Sequence, residues 1–61
     1  MVGYILKRVI DNTSYYLYMS AGEIMFSTDM SRALRFSRKQ DVESFLPIVP
    51  SCHLLEVVEH R

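Results

Sequence analysis

Two turn clusters, "DNTS" at Asp11–Ser14 and "SAGE" at Ser20–Glu23, cut the first half of the chain into three short runs. Asn and Asp tolerate the left-handed backbone region, and Gly22 supplies positive φ without steric penalty. The runs between them are strand-like: "YILKRVI" (Tyr4–Ile10), "YYLYM" (Tyr15–Met19) and "EIMFS" (Glu23–Ser27). Connections this short join antiparallel neighbours, so the three runs are expected to form a meander. Alternation sets Tyr15, Leu17 and Met19 on one face of the second strand, and Tyr16 and Tyr18 on the other.

Helix signals follow. Ser27, Thr28 or Asp29 can cap a short helix, and Met30, Ala33 and Leu34 fall at i, i+3, i+4 on one face of it. So short a helix needs packing to persist, with Phe36 as its anchor. Ser37 and Gln40 have capping-box spacing and open a second helix, whose buried stripe is Val42, Phe45 and Leu46. Pro47 disfavours helical backbone at Leu46 and ends it about there. "PIVPS" is a stiff connector, and "HLLEVVE" (His53–Glu59) closes the chain as a strand. The expected fold class is α+β. A small antiparallel sheet of three to four strands carries a short helix and a longer helix packed on one face, in the order β-β-β-α-α-β.

With 61 residues, the stretch 1–61 is a single small domain. A chain this size buries roughly 60% of its unfolded surface and is marginal unless something staples it. Cys52 is the only cysteine, so no disulfide forms within the chain. A lone cysteine fits a reducing, cytosolic setting. No apolar run approaches the ~20 residues of a membrane span, so no membrane partner is expected. The initial Met leads straight into strand sequence without a cleavage site, so the expectation is a whole gene product with no signal peptide.

"STDMSRALRFSRKQDVESFL" resembles a recurrent pattern in small proteins of phages and prophages. The matching residues are Ser27, Asp29, Met30, Ala33, Phe36 and Ser37, followed by "VESFL" and "LLEVVE". These residues define caps and a core. The resemblance implies a compact accessory protein acting on a host or phage macromolecule, and it carries over no catalytic residue.

The chemistry-bearing residues are few. Cys52 and His53 are adjacent, and strand neighbours point to opposite faces, so they make no nucleophile–base pair. C-H-x6-H lacks a metal ligand set, and Gly3 and Gly22 are the only glycines, too few for a phosphate loop. No catalytic, cofactor or metal residue is therefore assigned.

Charge is locally dipolar although lysines plus arginines and aspartates plus glutamates number 7 each. Arg32, Arg35, Arg38 and Lys39 form a basic cluster, and the acids Asp41, Glu43, Glu56 and Glu59 follow it. Arg38 and Lys39 fall at a helix start, where a cation opposes the dipole by about 0.3–1 kcal/mol when exposed. Folding alone does not ask for them there, so the cluster is a candidate contact surface. Its bland reading is a solvated face compensated by Asp41 and Glu43.

Tyr16 and Tyr18, with Tyr4 beside them, are the second candidate. They suit a protein interface, homodimer formation through the uncovered sheet face, or base stacking. A neutral chain lacks the basic footprint of a general nucleic-acid binder. The first expectation is thus a non-enzymatic module that binds a host or phage protein. The alternative is a single-stranded nucleic-acid binder using Tyr16 and Tyr18 with the basic cluster.

Overall fold

A computed structural model describes residues 3–50 and 52–60. Its frame is a four-stranded antiparallel sheet in the order β3-β2-β1-β4. The strands are β1 (Gly3–Ile10), β2 (Thr13–Ser20), β3 (Glu23–Ser27) and β4 (Glu56–His60). The helix α1 spans Lys39–Phe45. The fold is α+β, as the sequence pattern leads one to expect.

Both hairpins close through two-residue loops with positive φ at each loop position. Asp11 and Asn12 lie at φ 50° and 65°, and Ala21 and Gly22 at 51° and 78°. These are type I′ turns, whose twist matches that of the flanking strands. The loops fix the register: Ile10 faces Thr13, and Ser20 faces Glu23.

Alternation from this register divides the sheet into two faces. On the inner face, Leu6 and Leu17 are buried with Val42 of α1 and Val49 of the following loop. Burying each such side chain contributes about 1.5–3 kcal/mol. Tyr4, Phe45, Leu46 and Leu55 pack around this cluster. The stripe Val42, Phe45, Leu46 is therefore the buried face of α1, as expected. The outer face carries Ile5, Lys7 and Val9 of β1, Tyr16 and Tyr18 of β2, Met25 of β3, and Val58 and His60 of β4. Ile5 is 1% exposed even there, so this face is not an open apolar plate.

The ladder between β1 and β2 ends at Lys7 and Tyr16. The chain then supplies its own filler. Tyr4 N donates to the Phe36 carbonyl at 2.8 Å, and Phe36 N donates back to the Tyr4 carbonyl at 2.9 Å. Leu34 N donates to the Leu17 carbonyl at 2.9 Å. The Leu34–Phe36 stretch thus ties Leu17, in the second half of β2, to the start of β1. Leu34 and Phe36 pack on the core cluster, and the Phe36 ring meets that of Phe45 at 5.4 Å.

This arrangement corrects the expected short helix. Only Met30–Arg32 is helical, as a single 3-10 turn, and Ala33 is already extended at φ −57°, ψ 137°. Met30, Ala33 and Leu34 therefore share no helical face, and Met30 is exposed. One turn has too few hydrogen bonds to outweigh pairing with Leu17 and Tyr4. Asp29 does cap the turn, accepting from Ser31 N at 3.0 Å.

Two boundaries also move, and one holds. Ser37 is not the cap of α1: Arg38 is the N-cap residue and makes no side-chain cap bond. The chain instead spends residues 33–36 in extended pairing and turns into helix only after Ser37. Pro47 ends α1 as expected, because Leu46–Ile48 tightens into a 3-10 turn with the proline in its first positions. Cys52–Leu54 is a further 3-10 turn, so β4 begins at Glu56 instead of His53.

Candidate functional site

The basic cluster does not converge. Arg32 Nε lies 3.9 Å from Asp29 Oδ2, and Arg38 Nε lies 3.5 Å from Asp41 Oδ2. Both pairs are three residues apart in sequence and exposed, the geometry of weak surface ion pairs. Arg35 takes a different direction. Its neighbours Leu34 and Phe36 face the core, so extended backbone turns Arg35 to the outer face. There its Nη2 donates to Nδ1 of His60 at 2.6 Å. Lys39 is exposed and has no ion pair among the described residues. At seven residues α1 is too short for a strong dipole, and Asp41 already occupies its first turn.

Met30, Ser31, Arg35 and His60 line a hollow of about 390 Å³ on the outer side of the sheet. Ser31 of this lining is bonded to Asp29. Its carboxyl is held below the usual carboxylate range, first by the Ser31 hydroxyl at 2.6 Å, then by the Ser31 amide and the Arg32 charge. Ser31 donates to Asp29, so the side-chain donors left in the hollow are those of Arg35 and the Nε2–H of His60, whose Nδ1 accepts from Arg35.

The tyrosine candidates separate by face. Tyr16 and Tyr18 share the outer face and are half-buried. Tyr4 is on the inner face, packed on the core cluster, and is not beside them. Even-numbered residues of β2 and odd-numbered residues of β1 share a face, as the pairing of Lys7 with Tyr16 shows. Cys52 and His53 sit in a 3-10 turn and are not strand neighbours. Among the described residues, no group of three or more His, Cys, Asp or Glu side chains is placed to hold a metal ion. Among the same residues, no helix is long and apolar enough to cross a membrane.

What the sequence reading passed over is apolar exposure. Val9 and Met25 are exposed on the outer face, and Ile10, Met19, Phe26 and Val57 around the rim of the inner one. Ile48 and Leu54, in the 3-10 turns, are 67% and 46% exposed. The signal was present in β3, where "IMF" carries no charge. The chain matches no family model, no curated protein and no solved structure.

Proposed function

We propose that this chain is a non-enzymatic interaction module that binds another protein in the cytoplasm of a bacterial host. Its resemblance to small phage and prophage proteins supports an accessory role there. The observation that carries the reading is the apolar surface: among the described residues, a core of five buried side chains is accompanied by nine large hydrophobics left exposed. Apolar side chains left in water in this number favour a partner whose contact removes some of them from solvent. The basic residues support the same choice over nucleic acid. Arg32 and Arg38 are matched by Asp29 and Asp41, and Arg35 faces His60, so among the described residues these cations form no continuous track beside Tyr16 and Tyr18.

Affinity capture from a lysate of the source bacterium tests the reading. The tagged chain retains a specific protein, and a doubly substituted chain with Ile48→Ser and Leu54→Ser, both exposed, retains less of it. Equal retention by both removes this surface from the account. A chain that shifts labelled single strands at moderate salt and retains no protein is a nucleic-acid binder.

A further inference from the structure

We infer that β3 pairs edge to edge with β3 of a second copy of this chain, joining two sheets into one of eight strands. The inference deepens the reading of the protein as an interaction module and names one partner. An edge strand offers unpaired backbone donors and acceptors, and natural sheets blunt their edges with charge, proline or bulges. The two edges of this sheet differ in that respect. β4 is "EVVEH", with Glu56 and Glu59 along it. β3 is "EIMFS", with its one charge at the first residue. Its centre carries Met25 and Phe26, 41% and 36% exposed.

The hydrogen-bond phase of β3 is set by its hairpin. A two-residue loop makes Ser20 and Glu23 the closing hydrogen-bonded pair. By alternation Glu23, Met25 and Ser27 bond β2, and Ile24 and Phe26 aim their N–H and C=O groups away from the sheet. A two-fold axis through Met25 then uses all of them. Ile24 of one copy exchanges both bonds with Phe26 of the other, twice over, and the two Met25 residues face each other between these pairs. Ile24 and Phe26 share the inner face, so each apolar side chain meets an apolar side chain. Glu23 lies opposite Ser27, so no like charges meet. The strand is complementary to itself in hydrogen bonds, apolar pattern and charge, as a closed two-fold contact requires. The same operation on β4 about Val58 sets Val57 against Glu59, an apolar side chain against a charge. A five-residue edge is small beside standard interfaces, so the dimer is weak on its own.

Sedimentation equilibrium of the purified chain, from micromolar to millimolar concentration, tests this with three proteins. Wild type is expected to pass from monomer to dimer. Met25→Lys and Met25→Glu each place like charges across the axis and are expected to stay monomeric, with circular dichroism confirming that each is folded. Mixing the two variants restores the dimer, because the axis now brings Lys against Glu. A wild type that is monomeric throughout overturns the inference. So does a dimer that persists in either variant alone, since the contact then lies elsewhere. Purified chain alone is used here, so a monomeric result leaves capture of a different protein as a separate question.

Discussion

Tyr4 and Phe36 exchange a pair of backbone hydrogen bonds, at 2.8 and 2.9 Å, across a gap that β2 leaves beside β1. The Phe36 side chain then reaches the core and the Phe45 ring. One residue thus closes the sheet with its backbone and joins it to α1 with its ring. Phe36→Ala keeps the backbone bonds and loses the packing. Because the ring is only partly buried, the loss is expected near the low end of the large core aromatics, about 3 kcal/mol. Thermal and urea melts read it directly. In a small domain that is a large part of total stability.

Ala21 sits at φ 51° in a turn that favours Asn-Gly. A non-glycine residue other than Asn or Asp is strained there by roughly 1 kcal/mol. Ala21→Asn builds the preferred pair with Gly22 and is expected to stabilise by about 0.5–1 kcal/mol. The midpoint of urea unfolding should rise with an unchanged slope.

Lys39 and Arg38 are expected to respond differently to reversal of charge. Lys39→Glu places an acid in the first turn of α1 and should stabilise by a few tenths of a kcal/mol. Arg38→Glu gains the same dipole term and loses the pair with Asp41 at 3.5 Å, so its net effect is expected near zero. Parallel thermal melts at low salt separate the two.

Asp29 gives the Met30–Arg32 turn a pH dependence. Its folded pKa is lowered, chiefly by the Ser31 hydroxyl. A lowered carboxylate contributes stability that is fully present above its unfolded pKa and is lost as pH falls through the folded one. The difference between wild type and Asp29→Asn should therefore be constant near neutrality and shrink in strong acid. Melts across that range check it, and the Ser31 amide resonance reports the same titration locally.

Much of this fold is legible in the sequence because its signals are local. Asn12 and Gly22 mark the I′ turns, and Val42, Phe45 and Leu46 mark the buried stripe of α1. Pro47 marks its end. The stretch from Met30 to Phe36 is legible only in part. Its i, i+3, i+4 pattern is that of a helix, but Leu34 and Phe36 are also two apart, as in a strand. The partner strands that settle the choice, near Leu17 and Tyr4, lie far away in sequence. The Arg35–His60 contact is hidden for the same reason, being 25 residues long-range. The composition of the basic cluster is visible in the sequence, but its dispersal follows from that extended stretch.

The edge of β3 was equally invisible, because no single run of residues says which strand is outermost. Residue-resolved amide exchange of the purified chain, followed across a concentration series, tests it most directly. The account predicts that the outward amides of Ile24 and Phe26 exchange fast in dilute solution and become protected as concentration rises. The amides of β4 should not respond. Exchange at Ile24 and Phe26 that is the same at every concentration would contradict it.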